Sequence, residues 1–120
     1  MVVGAGFAGL EVVRRLRRAP CDVLLVDRRN HHVFQPLLYQ VATAALSPAD
    51  IAAPIRSIVR RHDNVQVVLQ EVTGVDLEGK QVHLGHETLD FDWLVLAAGA
   101  AHAYFGPDGW AERAPALKTI

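Results

Sequence analysis

The six residues from Gly4 to Gly9 constrain the fold of this chain more than any other feature of the sequence. They read Gly-Ala-Gly-Phe-Ala-Gly, which fits the pattern G-x-G-x-x-G, and Asp27 follows 18 residues after Gly9. Apolar runs lead into the motif and into the acid, and a helical pattern connects them. This order predicts a strand, a tight turn, a helix and a second parallel strand, which together form a βαβ unit.

Each glycine of this motif has its own expected role. Gly4 allows the tight turn, Gly6 lets the backbone approach a pyrophosphate, and Gly9 lets helix and strand pack closely. The N–H groups at the helix start and the helix dipole favour phosphate charge at this point. The carboxylate of Asp27 is expected to accept hydrogen bonds from a ribose. The motif therefore predicts a bound adenine dinucleotide.

Composition excludes several other classes of protein. A chain of 120 residues is one domain at most, and a net charge of −1 at pH 7 leaves no electrostatic footprint for nucleic acid. The arginines at positions 14, 15, 17 and 18 are expected to form a solvated helix face. No apolar run approaches the ~18 residues that span a bilayer. Cys21 has no second cysteine with which to pair, as is typical of a reducing cytosol, and we expect a cytoplasmic protein.

The two ends of the sequence predict a fragment of a longer protein. Three residues before Gly4 make a strand of only ~10 Å, and residues 116–120 carry no stop signal. We therefore expect residues 1–120 to be one partial domain with a clipped or misassigned start. An incomplete parallel sheet would leave an unpaired edge, so association of copies, including a homodimer, is also expected.

The pattern along the chain predicts an α/β fold: a Rossmann-like parallel sheet of the FAD/NAD(P)-binding type, with an antiparallel β-meander and an incomplete set of strands. A helix is predicted over 7–18, and another from a capping Ser47 to about Arg61, with Pro54 kinking or breaking it. Parallel strands are predicted over residues 1–3, 22–27, 65–69 and 92–97, and meander strands over 71–77, 81–84 and 88–91.

Other segments carry weaker patterns. Residues 28–45 are expected to contain no strand, and the tail from Ala101 is expected to be loop. The stripe on the first helix is expected to be buried, and it consists of Leu10, Val12, Val13 and Leu16. Trp93 is expected to be a core residue of the sheet.

The order of elements after Asp27 resembles the FAD domain of two-dinucleotide-binding flavoproteins. Their second landmark is an apolar strand that ends in Ala-Thr-Gly, where residues 97–99 of this chain read Ala-Ala-Gly. Residues 27–43, DRRNHHVFQPLLYQVAT, together with 46–48 and 55–56, closely resemble type II NADH dehydrogenase, the single-subunit, non-pumping NADH:quinone oxidoreductase. The resemblance extends to Tyr39-Gln40-Val41-Ala42, Gly74-Val75-Asp76 and Tyr104-Phe105-Gly106.

This resemblance implies FAD as the bound cofactor, NADH as the hydride donor and a quinone as the acceptor. The full-length protein would lie on the cytoplasmic face of the cell membrane, which it would contact through C-terminal segments absent from this chain. The NADH-binding domain would also be absent. The 120-residue chain alone is therefore expected to lack NADH:quinone activity.

The resemblance also implies roles for individual residues. The backbone of Gly6, Phe7, Ala8 and Gly9 would meet the pyrophosphate. Asp27 would hold the adenosine ribose, with Arg28 beside the adenine. Residues added by the resemblance alone are the Phe34–Thr43 segment on the flavin side, the backbone of Val72 on the first meander strand at the adenine, and Ala97, Ala98 and Gly99 over the nucleotide. No catalytic side chain is implied, because the flavin carries the chemistry.

Other readings stay open at this point. Another related flavoprotein, such as a sulfide:quinone or ferredoxin reductase, would carry the same first half. A truncated, non-catalytic nucleotide-binding module would do so as well. A metal site at His31 and His32 is not expected, because adjacent side chains on an extended chain point to opposite faces.

Overall fold

A computed structural model describes residues 1–101, 103, 110–114 and 116–120 of the chain. The chain divides into two compact units. The first comprises Met1–His32 and Pro54–Gly99, and the second comprises Val33–Ala53 and Ala100–Ile120.

The elements of the described residues are short. The strands are β1 (Val2–Val3), β2 (Val23–Asp27), β3 (His31–Val33), β4 (Ala52–Pro54), β5 (Val65–Leu69), β6 (Gly74–Asp76), β7 (Gln81–Leu84), β8 (Glu87–Asp90) and β9 (Val95–Leu96). The α-helices are α1 (Phe7–Leu16), α2 (Leu38–Ala42), α3 (Pro48–Ile51), α4 (Ile55–Val59) and α5 (Trp110–Arg113). A 3-10 turn at Gln35–Leu37 precedes α2, and none of these helices is long and apolar enough to cross a bilayer.

A four-stranded parallel sheet in the order β5-β2-β1-β9 organises the first unit. Val2 lies opposite Leu25 on one side and Val95 on the other, so β1 is hydrogen-bonded along both edges. Because the strands are parallel, their carboxyl ends meet at one edge of the sheet. That edge gathers the loop after β1, the end of β2 and the end of β9. The predicted α/β fold with a Rossmann-like parallel sheet is confirmed.

The two faces of the sheet are covered differently, which explains why its strands are apolar on both sides. One face packs on α1, whose Val13 is fully buried and whose other predicted stripe residues pack around it, as the helical periodicity predicted. The core on this side consists of Val2, Ala5, Val13, Val23, Leu25, Ile55 and Val59. On the other face, Val26 packs with Val82 and Leu84 of the meander.

The antiparallel meander is confirmed, with β7 pairing β6 on one side and β8 on the other. Its first strand is shorter than predicted, since β6 starts only at Gly74. Val72 therefore precedes the meander strand on which it was expected.

The segment from 28 to 45 was wrongly predicted to contain no strand. It contains β3, which forms a two-stranded sheet with β4, and also a 3-10 turn and α2. His-His-Val carries no alternation of apolar and polar residues, so only its pairing partner some 20 residues later makes it a strand.

The helix predicted from Ser47 to Arg61 is broken, as expected from Pro54. Ser47 caps α3, but the chain is extended at β4 and α4 starts only after Pro54. The proline disfavours helical backbone at Ala53, so the helix cannot run through.

The last predicted strand is also shorter, and this changes the place of Trp93. Only Val95 and Leu96 pair with β1, and the side chain of Trp93 is 85% exposed. The prediction of Trp93 as a core residue was wrong, because it lies outside the paired register of the sheet. In the tail, α5 replaces part of the expected loop.

In the second unit, Leu38 of α2 and Ile51 of α3 are buried. The N–H of Phe34 donates to the carbonyl oxygen of Ile51 at 2.8 Å. Phe34 and Tyr39 remain substantially exposed.

Candidate functional site

The loop between β1 and α1 is held by close backbone contacts that only glycine permits. The N–H of Gly4 donates to the carbonyl oxygen of Val26 at 2.8 Å, and its φ of +99° lies where other residues are strained. A Cβ on Gly4 would overlap the carbonyl oxygen of Ala97, and one on Gly9 would overlap the carbonyl oxygen of Gly4. The tight turn expected at Gly4 and the close packing expected at Gly9 are therefore present.

Gly6 differs from these two glycines, because a Cβ placed on it would meet no heavy atom within 4 Å. It is the N-cap residue of α1, and no side chain caps this helix. The first helical bond runs from the N–H of Leu10 to the carbonyl oxygen of Gly6 at 3.0 Å, so the N–H groups of Ala8 and Gly9 have no acceptor within the helix. Such a helix start fits an anion that approaches Gly6 closely.

The carboxylate of Asp27, at the end of β2, faces the glycine loop. Its Oδ2 accepts a hydrogen bond from the N–H of Ala5 at 2.7 Å, and its Oδ1 accepts one from the N–H of Arg29 at 2.8 Å. Each carboxylate oxygen retains a further lone pair, so a ribose hydroxyl can still donate to it. The sequence predicted the position of Asp27 but not its bond to the loop.

The Arg28 side chain lies beside Asp27 on the surface and contacts the segment between β5 and β6. Its Nη1 is 3.2 Å from Oε1 of Glu71, and the two side chains are 62% and 63% exposed. An ion pair this exposed contributes little to stability. Val72 follows Glu71 and is half-buried against the cluster of Val26, Val82 and Leu84.

The segment after β9 completes the arrangement. The N–H of Ala97 donates to the carbonyl oxygen of Val3 at 2.7 Å. A Cβ on Gly4 would lie 3.0 Å from Cα of Ala98, so the segment backs directly onto the glycine loop. Ala98 and Gly99 are exposed beyond this contact. The structure thus brings together, at one edge, the loop, Asp27 and the residues after β9.

His32 is a neighbour of this site that sequence reasoning missed. Its Nδ1 lies 3.1 Å from the carbonyl oxygen of Ala5. Its ring packs edge-to-face on Phe7, with centroids 4.9 Å apart and planes at 87°. No spacing rule identifies such a contact, since β3 lies in the segment that was expected to contain no strand.

Two other segments to which the resemblance pointed are not assigned a place at this sheet edge. The Phe34–Thr43 segment belongs to the second unit, and its role at the flavin stays a prediction. The Tyr104-Phe105-Gly106 string lies outside the described residues. Within the part of the chain that the structure describes, no three acidic, histidine or cysteine side chains converge as metal ligands.

A cavity of about 480 Å³ lies elsewhere in the first unit, lined by Arg17, Ser57, Ile58, Arg60, Arg61 and His62. Arg17 follows the end of α1, and His62 precedes β5. These positions correspond to the amino edge of the sheet, because α1 runs back from the carboxyl edge. The cavity is therefore separate from the glycine loop.

Comparison with known proteins matches the whole chain to one family. The family model described as pyridine nucleotide-disulphide oxidoreductase matches residues 1–120. Two type II NADH:quinone oxidoreductases of Mycobacterium tuberculosis, Ndh and NdhA, are 48% and 45% identical to this chain over its entire length. The chain spans 27% and 26% of those proteins.

Solved structures show the same fold at lower identity. NDH2 from Plasmodium falciparum, determined in complex with NADH, has a TM-score of 0.83 and 24% identity, and the match covers 93% of this chain and 24% of that one. The sulfide:quinone oxidoreductase of Aquifex aeolicus has a TM-score of 0.80 and 21% identity, covering 86% of this chain and 24% of that one.

Proposed function

The chain belongs to the pyridine nucleotide-disulphide oxidoreductase family, and from this premise we propose that it is the FAD-binding part of an NADH:quinone oxidoreductase. The observation that carries the proposal is the meeting of the glycine loop, the Asp27 carboxylate and the backbone after β9 at one sheet edge. Identity of 48% to a type II NADH:quinone oxidoreductase favours NADH over sulfide as the electron donor, since the likeness to the sulfide:quinone oxidoreductase is one of fold.

The residues at this edge suit an FAD molecule in a specific orientation. The N–H groups of the α1 start, in the backbone of 6–9, would hold the diphosphate, with Gly6 giving the space for close approach. Asp27 would accept from the adenosine ribose, and Arg28 and Val72 would flank the adenine. The backbone of Ala97, Ala98 and Gly99 would run alongside the nucleotide.

When bound, the flavin supplies the hydride and electron-transfer chemistry, so the chain itself needs no nucleophile or general base. What these residues do is bind the diphosphate, fix the ribose and hold the nucleotide against the sheet edge. We assign no catalytic side chain to this chain.

The complete protein would use NADH and a quinone. It would associate with the cytoplasmic face of the membrane through segments outside this chain, and a homodimer is its proposed assembly. The second nucleotide-binding domain that NADH requires would likewise be contributed from outside residues 1–120.

The Gly6→Ala variant tests the placement of the diphosphate. A Cβ at this position has room in the protein, so we expect the apoprotein to melt within a few degrees of the wild type, whereas the methyl group would stand where the diphosphate approaches. The dissociation constant of FAD, measured on the complete gene product by quenching of flavin fluorescence, should rise roughly tenfold or more, or ~1.4 kcal/mol.

The control is Gly85→Ala in the meander turn, where φ is +62° and no heavy atom lies within 4 Å of a built Cβ. We expect the opposite pattern here, with some loss of stability and unchanged FAD affinity. If Gly6→Ala folds and binds FAD as the wild type does, the diphosphate does not lie on this loop.

A further inference from the structure

We propose that His32 is a positioning residue for the diphosphate loop, acting through the carbonyl group of Ala5 and the ring of Phe7, the two neighbours of Gly6, rather than on the ligand. The inference rests on the proposed function, since the ligand that it concerns is the FAD diphosphate. It assigns to the second histidine of the His31-His32 pair a role that its sequence position does not reveal.

The hydrogen bond from His32 has a fixed direction. Nδ1 lies 3.1 Å from the carbonyl oxygen of Ala5, and a carbonyl oxygen only accepts. Nδ1 therefore carries the proton and donates, which assigns the tautomer of the neutral ring. In this tautomer Nε2 is left as an acceptor.

The peptide groups of Ala5 are thereby held from both directions. Its N–H donates to Oδ2 of Asp27 at 2.7 Å, and its carbonyl oxygen accepts from His32. Asp27 ends β2 and His32 belongs to β3, so two separate strands fix one residue of the loop.

The ring of His32 holds the other flank of the loop. Phe7, the first residue of α1, meets the imidazole edge-to-face at a centroid distance of 4.9 Å. Ala5 and Phe7 are the two neighbours of Gly6, the residue with open space on its side-chain face. One imidazole thus restrains both ends of the peptide pair on which a diphosphate would rest, and no contact with the ligand itself is needed.

A loop that is already held in its binding conformation loses less freedom when the ligand binds, which increases affinity without adding a contact. Removing the restraint should therefore weaken FAD binding while leaving the chemistry of bound flavin unchanged. It should also make the loop more mobile when no ligand is present, which is a separate observable.

Substitutions of His32 separate the effect of the hydrogen bond to Ala5 from the effect of the ring contact with Phe7. His32→Asn places an amide N–H close to the position of Nδ1 but removes the ring, whereas His32→Phe keeps a ring against Phe7 and removes the donor. His31→Ala, one residue earlier on the same strand, is the matched control. If the phenylalanine variant does not fold, His32→Gln takes its place. The glutamine amide lies one methylene beyond the position of Nδ1, so this variant also removes the donor to Ala5.

The first measurement is the dissociation constant of FAD for the complete gene product, from apoprotein titrated with FAD. We expect it to rise about fivefold or more in His32→Phe, to stay within about threefold of the wild type in His32→Asn, and to be unchanged in His31→Ala. Equal affinity in the phenylalanine and asparagine variants, or an equal loss in His31→Ala, would overturn the inference.

The second measurement is amide hydrogen exchange of residues 5–9 in the apoprotein. Exchange should be faster in His32→Phe than in the wild type, and His32→Asn, which keeps the donor to Ala5 but loses the ring against Phe7, should lie between the two. If the wild-type gene product binds no FAD, the proposed function fails, but this exchange experiment still decides whether His32 holds the loop. Unchanged exchange in all variants would refute the positioning role on its own.

Discussion

At the scale of single residues, the glycines of one motif carry separable tasks. Gly4 and Gly9 are closed in by backbone, whereas Gly6 is open. The sequence predicted all three positions because their spacing matches the pattern G-x-G-x-x-G. It did not predict that Asp27 also binds the loop, or that His32 does, since both bonds join residues that only the folded sheet brings together.

Gly9→Ala should destabilise the protein whether or not a nucleotide is present. A Cβ on Gly9 would overlap the carbonyl oxygen of Gly4 and lie 3.5 Å from Cβ of Ala97, so the loop or α1 must shift. We expect a loss of ~2–4 kcal/mol in the free energy of unfolding of the apoprotein, measured with urea. The Gly6→Ala apoprotein should retain nearly all of its stability, and a similar loss in both variants would refute this distinction.

Glu11 on α1 makes part of the stability dependent on acid pH. Hydrogen bonds from Arg14 and Arg15 lower the pKa of Glu11 from an ordinary 4.5 to about 2. Because the folded pKa is the lower one, this contribution is present above about pH 4.5 and is lost as the pH falls towards 2. In Glu11→Gln, the unfolding free energy should depend less on pH between these limits.

All three side chains of this cluster are substantially exposed, so salt should weaken the effect. The control is Glu78→Gln in the meander turn, where the side chain is exposed. An identical acid dependence in the wild type and in Glu11→Gln, at low ionic strength, would contradict the assignment.

At the scale of elements, predictions succeeded where one local pattern was sufficient. β5 was predicted over the residues that it occupies, and α1 and β2 differ from their predicted ranges by one or two residues at an end. Uniformly apolar runs next to turn residues indicate buried parallel strands even when the pairing partners are not known. β3 and β4 were missed because each depends on the other, and Trp93 was misplaced because strand register determines how far pairing extends.

The start of α3 provides a test at this scale. Oγ of Ser47 accepts from the N–H of Ala49 at 3.3 Å, and Oδ2 of Asp50 accepts from the N–H of Ser47 at 2.8 Å. Ser47→Ala removes the first of these bonds and should lower the unfolding free energy by ~1 kcal/mol. Ser57→Ala, an exposed serine within α4, is the control and should change it by less than half as much.

At the scale of the whole molecule, the chain spans only 27% and 26% of its two mycobacterial relatives. Residues 1–99 contain the parallel sheet, the meander and the sheet edge with the glycine loop. We propose that the sites for NADH and quinone belong to the rest of the complete protein. Composition and motif spacing were sufficient to predict the fold class. They could not predict the division into two units, since that depends on long-range pairing.

The 120-residue chain purified alone should therefore show no NADH:quinone turnover, even after incubation with FAD. Turnover should appear in the complete gene product under the same conditions. The assay is oxidation of NADH with a soluble quinone, and visible absorbance of oxidised flavin reports separately whether FAD is retained. Turnover by the isolated, flavin-loaded chain would contradict the assignment of residues 1–120 as one part of a larger enzyme.

The central place of β1 in the sheet has a consequence for synthesis on the ribosome. β1 and the glycine turn emerge first, but one edge of β1 pairs with β9, and Gly4 is backed by Ala97. A nascent chain that has reached Leu69 has released three of the four strands and still lacks that backing. The glycine loop is thus translated well before the strand that completes it, so it stays open while the intervening elements of the first unit are made.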